Sequence, residues 1–277
     1  MKIKLIATDL DGTLLSPDHV SVSPANAAAL RRASDAGVKI VIASGRTDDV
    51  FPADVRALDF LDFALVSNGA AMISYPEMHH TPISEIPYSV WCDIYDKMAA
   101  AGADPEIYAE GRSFMDESRI ERFTSSLLTP ALVNELKSHI TVVPDVKKAL
   151  EGHSIEKLCV LTVPDETRDA LTKTLFDDTR ISCTSSIPGN IEANARGTSK
   201  GTALAHLADS LGFAPDEIMA LGDAGNDIEM LKFAGCSVAM ANASEPAREA
   251  ARYTTSSNAD DGVARTIRKF VFGEAEE

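Results

Sequence analysis

Cysteine, positive charge and long apolar runs are all scarce in this 277-residue chain. Its cysteines are widely separated and form no C-x-x-C pair: Cys92, Cys159, Cys183 and Cys236. This pattern predicts reduced, mostly buried thiols and argues against a disulfide framework or a zinc knuckle. No apolar run approaches the length of a membrane span, and the N-terminal MKIKLIATDL is too short and too soon interrupted by acid for a signal peptide. We therefore expect a soluble, cytoplasmic protein without a membrane partner.

The shortage of positive charge restricts the possible ligands. The chain has 26 Lys and Arg against 42 Asp and Glu, a formal net charge of −16. A surface this acidic repels nucleic acid and anionic lipid, and no run of Lys or Arg forms a compensating patch. Nucleic acid is therefore not expected as a partner. An anionic ligand would need a local positive field from a metal, a lysine or helix N-termini.

The apolar residues that are present, 45% of the chain, suffice for a sizeable core. The runs KLIAT, VKIVIAS and FALVSN predict buried parallel strands. Between them, VSPANAAALRRASDAG predicts a helix with Ser23 as N-cap, Pro24 as first residue and Gly37 at its end. A second helix is predicted over TDDVFPADVRAL. This alternation is typical of a doubly wound, Rossmann-like α/β sheet.

From about residue 84 the pattern changes to α+β. PYSVWCDIYDKMAAAG predicts a helix and EIYAEGRSFM a hairpin, and a helically spaced apolar stripe predicts the core of this part: Trp91, Ile94, Tyr95 and Met98. The parallel-sheet pattern resumes after the predicted helix SKGTALAHLADSLG, with EIMALGD and CSVAMAN. We therefore predict a discontinuous core domain of residues 1–83 and 190–277, interrupted by an α+β cap domain of residues 84–189.

Four short polar stretches stand at predicted strand ends or at a helix start: DLDGT (9–13), ASGR (43–46), GTSKG (197–201) and GDAGND (222–227). Ligands of open parallel sheets bind at the carboxyl ends of the strands. Asp9 and Asp11 are two residues apart on a strand, so both acids face the same side. Because like charges repel, such a pair persists where a cation lies between them or where one acid is needed protonated.

This set of residues suits phosphoryl transfer. The Asp9 carboxylate can attack phosphorus and form an acyl phosphate, while Asp11 protonates the leaving oxygen and later activates water. Ser44, backbone N–H groups and Lys200 would hold the phosphate oxygens. A hard cation bound by carboxylates from two strand ends would neutralise the developing charge.

The motifs together resemble the haloacid dehalogenase superfamily, whose hallmark D-x-D-G-T reads DLDGT here and is followed in order by ASGR, the lysine of TSKG, and GDAGND. The insert between the second and third motifs looks like the C2-type cap of Cof-like phosphatases. By this resemblance, Asp9 is the nucleophile and Asp11 the general acid/base.

The resemblance also implies a magnesium site and a phosphate site. Mg²⁺ would be bound by Asp9, the backbone carbonyl of Asp11, and Asp223, and Asp227 would support the metal or bind it through water. The phosphate would be held by the Leu10 N–H, Ser44, Gly45, Lys200 and Asn226.

The expected activity is Mg²⁺-dependent hydrolysis of a small phosphorylated metabolite, with sugar phosphates as the best-guess class. Two alternatives stay open: a phosphomutase of the same superfamily, and a non-catalytic sensor that binds a phosphometabolite. The sequence makes no prediction of an oligomeric state. Outside the four motifs, Arg46 is a candidate either for substrate contact or for pairing with Asp48 or Asp49. Glu110 and Arg112 are candidates for substrate selection by the cap, with solvated turn residues as the equal alternative.

One further pair of residues invites a metal-binding interpretation. His79 and His80 are adjacent, but no further ligand residues lie nearby in the sequence, so we expect an exposed loop there.

Overall fold

The computed structural model describes residues 2–123, 130–186 and 189–274, which form two β-sheets with flanking helices. In chain order the strands are β1 (Leu5–Thr8), β2 (Lys39–Ala43), β3 (Phe63–Val66), β4 (Ala71–Ser74), β5 (His79–Pro82), β6 (Glu106–Ala109), β7 (Arg112–Asp116), β8 (Ile140–Val143), β9 (Ile155–Val160), β10 (Ile181–Thr184), β11 (Ile191–Ala195), β12 (Ile218–Gly222), β13 (Cys236–Ala239) and β14 (Tyr253–Thr254). The helices are α1 (Pro24–Asp35), α2 (Ala53–Arg56), α3 (Tyr88–Ala100), α4 (Pro130–His139), α5 (Val146–Ala149), α6 (Asp165–Phe176), α7 (Lys200–Leu211), α8 (Ile228–Phe233), α9 (Glu245–Ala250) and α10 (Gly262–Phe272).

The first sheet has the strand order β14-β13-β12-β1-β2-β3-β4-β5. Its strands from β14 to β3 are parallel, and β4 and β5 add an antiparallel hairpin at one edge. Helices α1 and α10 pack against each other, as do α7 and α8, and their apolar faces join the core of this sheet. The predicted doubly wound parallel sheet is confirmed.

Helix α1 begins as the sequence predicts. Pro24 is its first residue, and the Ser23 hydroxyl accepts a hydrogen bond from the Asn26 N–H at 3.1 Å. Proline, which has no backbone N–H, costs no hydrogen bond at this position because the first N–H groups of a helix have no partner within the helix.

Two local predictions in the first sheet are wrong. The helix predicted over TDDVFPADVRAL is a short turn (Asp48–Val50) followed by the single-turn α2, because Phe51 precedes a proline and takes an extended conformation. His79 and His80, expected in an exposed loop, form part of β5, which pairs with β4. The segment HHTP lacks the apolar alternation that marks a strand, and its pairing depends on the neighbouring β4.

The second sheet has the order β10-β11-β9-β6-β7-β8. Helices α3 and α6 cover one face, and the predicted apolar stripe from Trp91 to Met98 is buried in that core. Because β11 pairs with both β9 and β10, the chain stays in this sheet until Ala195, beyond the predicted boundary near 190. Ile191 and Ala193, two residues apart on β11, are part of the core of the second sheet. An apolar alternation of only two residues in a Gly- and Asn-rich stretch was too short to predict a strand.

The opposite face of the second sheet contacts the first sheet at the ends of β2 and β3. A bulge in β9 contributes to this contact: Tyr108 pairs with Lys157 and Ala109 with Ile155, so Glu156 is an extra residue. As a result, the neighbouring side chains of Glu156 and Lys157 both contact the first sheet.

Candidate active site

Three neighbouring parallel strands bring the predicted site residues to one edge of the first sheet. Asp9 follows β1, and Ser44 and Asp223 follow the two strands beside it, β2 and β12. The carboxyl ends of these strands therefore meet at one place, as the sequence predicts.

Lys200 reaches the same place from the start of α7. Its side chain is fully buried, and its Nζ donates to Asp9 Oδ1 at 2.6 Å and to Asp227 Oδ1 at 2.7 Å. Ser199 caps the helix, and a Cβ at Gly201 would lie 2.4 Å from the Glu229 carbonyl carbon, so α7 starts tightly against α8. Burial opposes the charge of Lys200, but the two carboxylates raise its pKa above the usual value.

Three buried or half-buried carboxylates surround this lysine. Oxygen atoms of Asp9, Asp223 and Asp227 all lie within 4.8 Å of one another. Burial, together with the neighbouring acids, raises the pKa of Asp9 well above its usual range and that of Asp223 to about 7. One lysine thus leaves this acidic cluster with excess negative charge.

Asp223 and Asp227 are held by the loops around them. The Thr13 hydroxyl donates to Asp223 Oδ1 at 2.9 Å, and the N–H groups of Asp223 and Ala224 donate to Asp227 Oδ2 at 2.8 and 2.9 Å. Gly12 has a φ of 78°, and a Cβ there would lie 2.3 Å from Asp223 Oδ2. The glycine of DLDGT therefore provides both the left-handed turn and the space for Asp223.

The carboxylate of Asp11 has different partners. Arg46 donates to it with Nε at 2.8 Å and a terminal nitrogen at 2.6 Å, and His19 Nδ1 lies 3.0 Å from it. Burial opposes the charge, but Arg46 and His19 lower the pKa of Asp11 below its usual range. Of the two predictions for Arg46, the pairing with Asp48 or Asp49 is wrong: its partner is Asp11, a long-range contact that sequence spacing could not indicate.

The remaining predicted residues lie around the same cleft. Gly45 and Asn226 line it together with Asp9 and Asp11, and Leu10 and Ser44 are buried beside these lining residues. The Ser44 hydroxyl accepts from the Arg46 N–H at 3.1 Å. The geometry brings all nine predicted residues into one region, and the roles assigned to each stay predictions.

The second sheet closes the cleft with side chains that the sequence did not single out. Its lining residues from β6, β9 and β11 are Glu106, Tyr108, Lys157, Cys159 and Glu192. Lys157 Nζ donates to Glu192 Oε1 at 2.8 Å and to the Gly45 carbonyl at 2.5 Å, which joins the sheets. The period of two in EIYA, with Ile107 in the core, is the one signal that could have indicated Glu106 and Tyr108.

The two cap residues that were predicted for substrate selection lie elsewhere. Glu110 is exposed at the β6–β7 turn and pairs with His153 at 3.0 Å, and the exposed Arg112 donates to the Thr141 hydroxyl at 3.4 Å. Neither lines the cleft. Of the two interpretations, the geometry favours solvated turn residues, because the polar residues of a hairpin turn commonly face solvent.

Comparison with known proteins places this chain in a family. A model of the haloacid dehalogenase-like hydrolases matches residues 6–267. A Bacillus subtilis protein named 5-amino-6-(5-phospho-D-ribitylamino)uracil phosphatase YcsE is 32% identical, over 97% of this chain and 96% of its own. The putative phosphatase YxeH of the same organism is 30% identical over 98% of this chain and 99% of its own. A solved haloacid dehalogenase-like hydrolase from B. subtilis has a TM-score of 0.84 and 26% identity, covering 97% of this chain and 100% of that one.

The chain belongs to the haloacid dehalogenase-like hydrolase family. The predicted family and fold class are confirmed, and so is the enzyme class, a phosphoric monoester hydrolase, by the family and its named relatives. In the part of the chain that the structure describes, no helix has the length and apolar character needed to span a bilayer.

Proposed function

We propose that this hydrolase removes phosphate from small phosphorylated metabolites of the cytoplasm, with Mg²⁺ and through an aspartyl phosphate on Asp9. The observation that carries the proposal is the position of Asp9 at the end of β1, with Lys200 at 2.6 Å and the carboxylates of Asp223 and Asp227 beside it. A nucleophilic carboxylate next to a fixed positive charge is suited to attack an anionic phosphate.

In the first step an Asp9 oxygen bonds to phosphorus, and the bond between phosphorus and the leaving oxygen breaks. The leaving oxygen takes a proton from Asp11. In the second step water attacks phosphorus and gives a proton to Asp11, while the bond between phosphorus and the Asp9 oxygen breaks; inorganic phosphate leaves and the Asp9 carboxylate is restored. Lys200 stabilises the Asp9 carboxylate at the start and end of this cycle, and it stabilises the charge of the phosphoryl oxygens between them.

The contacts of Asp11 match the second step better than the first. Arg46 and His19 favour its ionised form, which accepts a proton from water. The first step needs a proton on Asp11, so its pair with Arg46 must loosen when substrate enters.

The acidic cluster fits a magnesium ion by its donor chemistry. Carboxylate oxygens are hard ligands, and burial together with the neighbouring acids raises the pKa values of Asp9 and Asp223, so a cation bound between them would favour their ionised forms. Both would bind the ion with the backbone carbonyl of Asp11. The oxygens of Asp227 already accept from Lys200 and two backbone N–H groups, which favours its predicted supporting role. A bound Mg²⁺ would neutralise charge on the phosphate and on the attacking carboxylate.

The leaving group would meet the polar face of the second sheet. Glu106, Glu192 and Tyr108 offer oxygen acceptors to hydroxyl groups, which favours phosphorylated polyols and sugars. The named activity of the relative YcsE concerns a phosphate ester of a ribityl chain, a polyol. We therefore propose sugar and polyol phosphates as the substrate class, with that ribitylamino-uracil phosphate as the first compound to test.

The test is phosphate release from a panel of such esters, with Mg²⁺ and with excess EDTA. We expect many turnovers per enzyme with Mg²⁺, none in EDTA, and none for the variant Asp9→Asn. A phosphomutase would instead require a bisphosphate activator and return the phosphoryl group to the substrate, and a sensor would bind the ester without turnover. Full activity in EDTA would contradict the metal assignment.

A further inference from the structure

The turn that follows β3 contacts the loop after β2, the loop after β12, the start of α7 and the second sheet. Ser67, Asn68 and Gly69 all have positive φ angles, of 51°, 59° and 89°. Backbone conformations of this kind are unfavourable for residues other than glycine and are often found at functional sites. Asn68 tolerates the left-handed region better than most residues, yet it is only 2% exposed, so its amide group must have buried partners.

Those partners come from both sheets. Asn68 Oδ1 accepts from Asn226 Nδ2 at 3.1 Å, on the phosphate side of the proposed active site. Asn68 Nδ2 donates to Glu192 Oε2 at 3.1 Å and to Asn194 Oδ1 at 3.2 Å, both in the second sheet. One side chain therefore connects the second sheet to Asn226.

The donors and acceptors in this chain of bonds fix the orientation of each amide. The Glu192 carboxylate, whose other oxygen receives the Lys157 ammonium group at 2.8 Å, carries no hydrogen and can therefore only accept. Asn194 uses its own Nδ2 to donate to the carbonyls of Ser67 and Glu156, so it offers Oδ1 to Asn68. Asn68 must then present Nδ2 to the second sheet and Oδ1 to Asn226. Asn226 must in turn present Nδ2, whose second hydrogen remains a donor for an anion.

The backbone of the turn is equally constrained. The Asn68 N–H donates to the Ser44 carbonyl and the Ser67 N–H to the Arg46 carbonyl, each at 3.0 Å. On its other side, a Cβ at Gly69 would lie 2.5 Å from the Ser199 carbonyl oxygen, where α7 and Lys200 begin. Asn68 cannot move without disturbing residues on three sides of the phosphate site.

We propose that Asn68 is a positioning residue: it orients the amide of Asn226 as a phosphate donor and makes that orientation depend on Glu192 of the second sheet. The inference rests on the proposed function, since it assumes that phosphate binds beside Asn226. The alternative is that these bonds only hold the two sheets together. Such a structural role would change stability without changing the affinity for inorganic phosphate.

The experiment measures the dissociation constant of inorganic phosphate by calorimetry, on the full chain in excess Mg²⁺. Asn68→Gly removes the amide but keeps the left-handed backbone free of strain. Met78→Gly is the matched control, because Met78 also has a positive φ, 54°, and is half exposed in the β4–β5 turn. We expect the dissociation constant to rise about tenfold in Asn68→Gly, equivalent to about 1.4 kcal/mol, and to stay unchanged in Met78→Gly.

A double-mutant cycle shows whether Asn68 acts through Asn226. Once Asn226→Ala has weakened phosphate binding, adding Asn68→Gly should cause no further loss. If the dissociation constant of the double variant rises by the product of the two single-variant factors, the two residues act independently and the proposal is overturned.

A second variant keeps the proposal testable if Asn68→Gly does not fold. In Glu192→Gln, the carbonyl oxygen still faces Lys157, so the new amide nitrogen faces Asn68 and opposes its orientation. Removing a negative charge near an anion site would by itself tighten phosphate binding. A rise of several-fold in the dissociation constant therefore supports the orientation effect, and a fall or no change overturns it. If the wild-type protein binds no phosphate, the proposed function itself fails; if it binds but Asn68→Gly binds equally well, only this inference fails.

Discussion

Replacing Lys200 by methionine tests how far the acidic cluster depends on one buried charge. Methionine keeps most of the aliphatic volume, so the substitution removes mainly the ammonium group. Lys200 Nζ lies 2.6 Å from Asp9 Oδ1 and 2.7 Å from Asp227 Oδ1, with no exposed surface. Both carboxylates would remain in place without their shared cation.

The expected loss follows from the burial of this group. Two unit charges about 4 Å apart interact by about 4 kcal/mol at an effective dielectric constant near 20. Removing one partner of a buried pair typically destabilises a protein by about 3–5 kcal/mol. Asp9 limits the loss, because a buried carboxyl with a raised pKa takes up a proton instead of remaining charged. We therefore expect the free energy of unfolding to fall by about 3 kcal/mol near neutral pH, the lower end of this range.

The stability loss caused by Lys200→Met should depend on pH in a definite direction. A carboxyl whose pKa is raised on folding binds its proton more tightly in the folded state, so it stabilises the fold at low pH and loses that contribution as the pH rises. The difference in the free energy of unfolding between the wild-type protein and Lys200→Met should accordingly be smaller at pH 5 than at pH 8.

The assay is urea unfolding in EDTA, with Lys232→Met as the control. Lys232 is 58% exposed and pairs with Glu229 at 2.8 Å on the surface, a kind of contact worth about 0–1 kcal/mol. Equal stability losses in the two variants, or wild-type turnover in Lys200→Met, would refute the reasoning.

Two further predictions concern the space that Gly12 leaves for Asp223 and the selection of substrates. Gly12→Ala should destabilise the protein more than Gly37→Ala and lower its Mg²⁺ affinity, measured by calorimetry, because only the first places a Cβ against Asp223. Both glycines have positive φ, so equal effects would mean that backbone strain alone matters. Glu106→Gln should change the order of kcat/KM values across the panel of sugar phosphates and leave the cleavage of a generic aryl phosphate unaffected. Glu110→Gln, at an exposed position, should leave the order unchanged. An unchanged order in Glu106→Gln would contradict a role for that side chain in selection.

The sequence predicted the parts of the site that depend on local patterns. Asp9 and Asp223 stand directly after apolar runs that are long enough to be buried strands, and parallel strands necessarily bring their carboxyl ends together. Ser23 and Pro24 likewise define the start of α1 by their own chemistry. Lys200 could be assigned only as one member of an ordered set of motifs, since a single lysine carries no such signal.

The parts that were missed depend on long-range contacts. Arg46 and Asp11 are 35 residues apart, and Asn68 and Asn226 are 158 apart. Their pairing follows from strand order and side-chain direction, which single-sequence patterns do not contain. The strand β11, which follows the predicted boundary near 190, was missed for a similar reason: it is recognised as a strand only when β9 and β10 lie beside it.

The most direct test of the account is to locate the phosphoryl group on the enzyme. In Asp11→Asn, hydrolysis of the intermediate should slow by about 10²–10⁴, so a generic aryl phosphate with a good leaving group should leave the enzyme phosphorylated. After rapid quenching and proteolysis, mass spectrometry should find one phosphoryl group, labile to hydroxylamine, on the peptide that contains Asp9, and none in Asp9→Asn/Asp11→Asn. A phosphoryl group on another residue, or turnover without any phosphorylated enzyme, would contradict the central claim that Asp9 is the nucleophile.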